Sequence, residues 1–193
     1  MTTAVRQTRR YAAALLLAAS LAGASSCNAQ QPNDSAQPAE TPSARTASPS
    51  KPPSSSSRGE EALVIAAYTD SWDAQTEAYR RASSAGTSLK KSTTLRALAD
   101  VESDLSAMRK AGQVTIGRPV IHPRVIKVTS GEIPQATVSD CVDTTNWALV
   151  DKASRKKVPL PTGRLAKYIT TASLEKWGTK WMVTKLTAQD RAC

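Results

Sequence analysis

Apolar residues recur at helical spacing in two successive stretches and at strand spacing in the remainder of the chain. Over residues 60–82, Ile65, Tyr68, Trp72 and Tyr79 recur at helical intervals, with Asp70, Asp73, Glu77 and Arg80 between them. This pattern predicts an amphipathic helix, with Glu60 and Glu61 suited to its positive end. Residues 83–91, which include Gly86, predict a break. A second helix is predicted over 93–111, where Leu95, Leu98, Val101, Leu105 and Met108 lie three or four apart and Gly112 follows Arg109 and Lys110 as a stop. From Gln113 onward the runs 114–117, 124–129, 136–142, 147–150, 165–174 and 181–187 are β-rich and separated by turn residues. Pro119, Pro123 and Pro134 belong at strand ends or edges, where no ladder donor is needed. Helices first and strands afterwards predict an α+β domain, with N-terminal helices packed on a curved mixed or antiparallel sheet.

The first 59 residues do not share this pattern. Arg6, Arg9 and Arg10 precede an apolar stretch that runs from Tyr11 to Gly23, and small residues lead to Cys27, so residues 1–26 read as an export signal. The segment from Leu21 to Cys27 resembles a bacterial lipobox, whose cysteine is lipidated and becomes the mature N-terminus; Ala24 stands where that pattern prefers Leu. Plain secretion, with cleavage after Ala24 or Ala29, is the other reading. Residues 27–59 are Ser, Pro, Ala, Gln and Thr with almost no large apolar side chain, too little to offset the entropy of folding. They read as a disordered tether, with a root-mean-square span of about 30 Å. Residues 60–193 remain for one domain.

Composition narrows the chemistry. The net charge of +10 is shared with the export segment, and the cations of the domain are not clustered among stacking aromatics, so an anionic membrane or envelope polymer is a better partner than nucleic acid. His122 is the one histidine of the chain, which excludes histidine-rich metal sites and any triad built without it. There is no Gly-rich phosphate loop, paired metal carboxylate or nucleophile elbow, and no metal or cofactor is expected. Three cysteines in an exported chain leave an odd thiol, which a lipid on Cys27 removes. Cys141 and Cys193 are then expected to pair as a structural disulfide; their spacing is not that of a Cys-x-x-Cys redox motif.

Asp140 and Asp143 lie on a strand expected beside any pocket, with Asp140 opposite in facing to Cys141. One of them is a candidate general base, its pKa raised by apolar surroundings, but the favoured reading makes them hydrogen-bond acceptors for the polar turn at Thr144, Thr145 and Asn146. His122 reads as an edge or loop residue without an orienting partner. Tyr68, Trp72, Tyr79, Trp147, Tyr168 and Trp181 are candidates both for a ligand pocket and for the core of a chain without Phe. Lys152, Arg155, Lys156 and Lys157, with Lys90 and Lys91, form basic turns suited to anionic head groups or to solubility.

Helix, helix and then a long sheet resembles the nuclear-transport-factor-two-like fold, the cone-shaped superfamily of ketosteroid-isomerase-like and polyketide-cyclase-like proteins. More narrowly, the chain is similar to small actinobacterial lipoproteins of that fold, in Gly117-Arg-Pro119, in Asp140-Cys-Val-Asp-Thr-Thr-Asn-Trp147, in Trp181-Met-Val183 and in the terminal Cys193. The resemblance implies a sheet wrapped around a pocket closed by helices, and implies no reaction. Three roles follow as expectations: a membrane-anchored extracytoplasmic lipoprotein (palmitoylated through Cys27) with a non-catalytic domain that binds a ligand or an envelope protein, an isomerase- or cyclase-like enzyme using a pocket aspartate, and a structural homodimer at the envelope.

Overall fold

The computed structural model describes residues 55–193; the expected signal and most of the expected tether, Cys27 included, lie outside the described residues. Helix α1 spans Ser55–Arg81, α2 spans Leu89–Ser92 and α3 spans Leu95–Ala111. Six strands follow: β1 Gln113–Gly117, β2 Arg124–Thr129, β3 Gln135–Asp143, β4 Trp147–Asp151, β5 Lys167–Trp177 and β6 Lys180–Ala188. The fold is α+β, as expected, and every ladder between strands is antiparallel; an isolated parallel bridge joins Thr93 to Val183. The strands form a curved sheet that does not close, in the order β2-β3-β5-β6, with β1 and β4 paired apart from it.

Three boundaries differ from the sequence pattern, each for a local reason. Helix α1 begins before Glu60, whose carboxylate is tied to the sheet by Lys176 Nζ at 2.8 Å and by the Trp181 indole N–H at 3.1 Å. The break after α1 contains the single turn of α2, which buries Leu89 between the two long helices. Strand β5 starts at Lys167 and continues to Trp177, where it pairs with Lys180 across a tight turn with Gly178 at φ 61°. Gly112 is left-handed at the end of α3, where it serves as the stop.

Strand β3 shows the alternation that positions everything else. Ala136, Val138, Asp140 and Val142 point inward, and Thr137, Ser139, Cys141 and Asp143 point to the other face. Val64, Tyr68 and Trp72 of α1 pack on that inner face together with Ala172, Leu174, Trp181 and Val183. Each large apolar side chain so buried contributes about 1.5–3 kcal/mol. A second cluster, Ala74, Ala78, Leu89, Val101 and Leu105, joins the helices to one another. Between them the buried hydroxyls of Ser71 and Thr93 share a hydrogen bond of 2.8 Å, and Gln75 Nε2 donates to Ser71 Oγ at 3.0 Å. Those bonds satisfy polar groups that would otherwise be costly in an apolar layer.

Cys141 and Cys193 are joined by the expected disulfide, with Cα atoms 5.9 Å apart. The tail is also held by backbone bonds, from Gln189 N–H to the Ile169 carbonyl at 2.8 Å and from Ile169 N–H to the Arg191 carbonyl at 2.9 Å. A loop closed over a separation of 52 residues is worth about 4 kcal/mol in the chain-entropy account.

Candidate functional site

Inward-facing Asp140 is almost fully buried, and two donors hold it. Tyr68 of α1 donates its hydroxyl to Oδ2 at 2.8 Å, and the backbone N–H of His122 donates to Oδ1 at 2.5 Å. Burial pushes the Asp140 carboxyl above its ordinary value, and the two donors act against that rise. Burial likewise pushes the Tyr68 phenol up, with the Asp140 charge adding to it. Of the two roles read for Asp140, turn acceptor fails: the carboxylate belongs to the core, and a tyrosine partner stands beside it that the local sequence did not assign.

Asp143, on the other face, takes the turn role. It accepts from the Thr145 N–H at 2.8 Å and pairs with Lys167 Nζ at 2.9 Å. The Thr145 and Lys167 contacts bring its pKa down to about 2. Its expected place in a ligand pocket is therefore corrected: strand alternation turns it away from the helices. His122 has an exposed ring, as expected of an edge residue, with Nδ1 lying 3.3 Å from the Cys141 carbonyl. Its contribution to the site is made through its backbone N–H.

A cleft of about 510 Å³ opens between α1, α3, the β1–β4 pair and the ends of β5 and β6. It gathers Trp72, Tyr79, Trp147 and Tyr168 from the sequence candidates; Tyr68, Trp181 and Asp140 do not line it. Aromatic rings form one edge-to-face series: Tyr68 to Trp72 at 6.4 Å, Trp72 to Trp147 at 6.1 Å, and Trp147 to Tyr79 at 5.4 Å. Met108, Leu149, Leu160 and Leu186 complete an apolar wall, and Arg164 stands at the mouth with Nη1 donating to Thr144 Oγ1 at 3.3 Å. The Tyr79 hydroxyl donates to Asp104 Oδ2 at 2.7 Å, and both residues line the cleft. Burial raises the Tyr168 phenol and the Arg164 charge lowers it, so these two side chains act on each other at the mouth.

Three buried polar atoms of the cleft residues have no hydrogen-bond partner: Trp72 Nε1, Trp147 Nε1 and Thr115 Oγ1. Buried donors are rarely left unmet in folded proteins, because each costs about 1–3 kcal/mol. The Trp72 N–H bears on the Tyr68 hydroxyl from outside hydrogen-bond geometry, whereas nothing of the kind is found for Thr115. A larger groove of about 740 Å³ runs between α1, α2 and the β5–β6 turn, but its walls are mostly small or charged side chains, with Leu63 and Trp181 as the large apolar ones, and it lacks the aromatic series of the cleft. The cleft is therefore the stronger candidate site. Gln75, Asp104, Thr115 and Arg164, which help to form it, carry no local sequence signal that marks them.

The basic residues fall elsewhere. Lys152, Arg155, Lys156 and Lys157 lie exposed in the turn after β4, and Lys91 lines the larger groove. Among the described residues no cluster of His, Cys, Asp and Glu is arranged to hold a metal ion. No helix of the described residues is long and apolar enough to cross a membrane.

No family model matches the chain, and no curated protein matches it. Among solved structures, the intermembrane space region of the chloroplast protein ARC6 is similar, at 14% identity and a TM-score of 0.45, over 73% of this chain and 100% of that one.

Proposed function

We propose that the chain is an extracytoplasmic lipoprotein, tethered to the outer face of the cell membrane by a lipid on Cys27, whose nuclear-transport-factor-two-like domain binds a small apolar ligand without transforming it. The observation that carries the binding role is the cleft lined by Trp72, Tyr79, Trp147 and Tyr168, with Arg164 and Asp104 among its polar residues. Ligand sites are usually apolar concavities with a few convergent polar groups, of 300–1,000 Å³, and a cleft of about 510 Å³ has that character. The disulfide between Cys141 and Cys193 is consistent with an oxidising, exported setting. The lipid anchor rests on the lipobox resemblance and the spare cysteine.

A catalytic reading has one observation in its favour, the hydrogen bond from Tyr68 to Asp140. Asp140 is only 2% exposed and lies outside the lining of the cleft, so a general base there has no substrate within reach. A core role for the pair is the simpler account.

The test is to express the full chain in an actinobacterial host, fractionate the cells and take a native mass spectrum of the exported protein. Membrane-bound protein with an acylated Cys27, released into the medium by Cys27→Ser and carrying a small-molecule adduct, is the expected result. Protein in the medium that begins after Ala24 or Ala29 overturns the anchor. A bare mass that also fails to shift with any added apolar compound overturns the binding role.

A further inference from the structure

The segment between β4 and β5 does two things at once. It lines the cleft through Leu160 and Arg164, both exposed, and it carries Lys152, Arg155, Lys156 and Lys157, exposed as well. The chain turns at Arg155, whose φ is 61°, and comes back along β4. There the Asp151 N–H donates to the Lys156 carbonyl and the Val158 N–H to the Leu149 carbonyl, both at 2.9 Å. Leu149 is itself a cleft residue, so backbone bonds fix the basic turn beside the cleft wall. At the start of the turn the Lys152 N–H donates to the Gly112 carbonyl at 2.8 Å, against the end of α3, where Lys110 is exposed.

These cations have no use within the domain. Among the described residues no carboxylate pairs with Lys152, Arg155, Lys156 or Lys157. Asp151, the one carboxylate of residues 151–166, accepts from the Ser154 N–H and hydroxyl at 2.7 and 2.8 Å. Asp104 in the cleft is held by Tyr79, and Asp143 at the end of β3 by Lys167. A cluster of like charges so left suits an anionic surface. Leu160 follows it between Pro159 and Pro161, 44% exposed. A hydrated polyanion offers nothing to an exposed leucine, whereas a bilayer takes cations at its head groups and an apolar side chain just beneath them.

The described chain begins at the other end of the domain. Helix α1 has 27 residues and is about 40 Å long. Glu60, near its start, is tied to Lys176 and Trp181 by the β5–β6 turn, while the cleft takes Trp72, Gln75 and Tyr79 from its second half. With the basic turn on a membrane, a chain anchored at Cys27 has to climb that length to Ser55. Residues 28–54 reach about 90 Å at full extension, which is ample.

We infer that the β4–β5 segment docks on an anionic bilayer, with Lys152, Arg155, Lys156 and Lys157 at the head groups and Leu160 below them, so that the cleft opens against the lipid. This rests on the reading of the chain as an exported protein whose cleft binds an apolar ligand, and it brings that cleft to the place where apolar molecules concentrate.

Vesicle sedimentation of the full exported chain carrying Cys27→Ser, which removes the lipid, tests the docking without the anchor. Vesicles of phosphatidylglycerol and phosphatidylcholine in equal parts are expected to bind it, vesicles of phosphatidylcholine alone are not, and about 0.5 M salt should release it. Arg155→Gln, Lys156→Gln and Lys157→Gln should each weaken binding about fivefold. Lys90→Gln with Lys91→Gln, on α2, should do far less. Leu160→Ser should weaken binding several-fold; circular dichroism and thermal melting confirm that each variant is folded. Because Cys141 and Cys193 are bonded, Leu160→Cys in this background supplies a free thiol for a fluorophore that brightens in apolar surroundings. That label should brighten on the anionic vesicles, and one at Thr179→Cys, in the β5–β6 turn, should not. No sedimentation with anionic vesicles overturns the inference and leaves the anchor and the cleft standing. If the α2 pair matters as much as the turn, or the label at 179 brightens as much as the label at 160, the docking face is wrong. Sedimentation with a dark label at 160 and no effect of Leu160→Ser means that charge alone is read, as an acidic polymer would present it, and overturns the bilayer as occupant.

Discussion

The Tyr68 hydroxyl donates to Oδ2 of Asp140 at 2.8 Å, joining α1 to the middle of β3 across a separation of 72 residues. The carboxylate interrupts an inner row that is otherwise Ala136, Val138 and Val142, and it is tolerated there because Tyr68 and the His122 N–H meet both of its oxygens. Tyr68→Phe keeps the ring and its edge-to-face contact with Trp72 but leaves Oδ2 unmet. The expected loss is about 1–3 kcal/mol in urea denaturation, since a buried acceptor without its donor bears the full desolvation cost. A change under about 0.5 kcal/mol would show that the bond is incidental to the fold.

Asp140 and Asp143 share a strand and titrate in opposite senses. Asp143 falls to about 2 when folded, from about 3.9 in an unfolded chain, so its contribution to stability is present above pH 4 and is lost as pH falls towards 2. Asp140 is raised when folded, so its charging in the fold costs stability as pH rises from about 3.9 through its folded value. Urea midpoints measured from pH 2 to 7 should rise through the acid limb and then decline. Asp143→Asn should flatten the rise in part, because Glu60, Glu77 and Asp151 are lowered too and act in the same direction. Asp140→Asn should remove the decline. An unaltered profile in either variant would refute the corresponding assignment.

Much of this fold is legible in the sequence because its signals are local. Apolar spacing marks the long helices, and turn residues mark the ends of the strands, so element type follows from stretches of a dozen residues or fewer. The Cys141–Cys193 bond was legible from counting, once Cys27 was set aside. Asp140 was legible in half: its parity with Val138 and Val142 assigns it to the inner face, but Tyr68 comes from another element and nothing local pairs them. The cleft was less legible still. Thr115, Trp147 and Arg164 sit in three separate segments, and a threonine in a strand gives no sign that its hydroxyl will lack a partner. The lipobox and the tether up to residue 54, which carry the proposed location, lie outside the described residues, and the last five tether positions open α1 instead of continuing as coil.

Gly117 ends β1 with φ 76°, directly opposite Trp147 of β4. A Cβ built there would stand 1.9 Å from the Asn146 carbonyl oxygen, a backbone atom that cannot swing aside. Only glycine allows the two strands to approach so closely, and that approach places the Trp147 ring against Trp72 in the cleft. Gly178 gives the comparison, because it too has positive φ, at 61°, but a Cβ there meets nothing within 4 Å. Gly178→Ala should therefore show the conformational cost alone, about 1–2 kcal/mol. Gly117→Ala should cost about 1–3 kcal/mol more, through displacement of the Asn146–Trp147 segment. It should also shift the tryptophan fluorescence of the folded protein, since Trp147 must move with its backbone. Equal losses from the two substitutions, measured by denaturant titration, would mean that the strand end yields freely and that the position of Trp147 does not depend on Gly117.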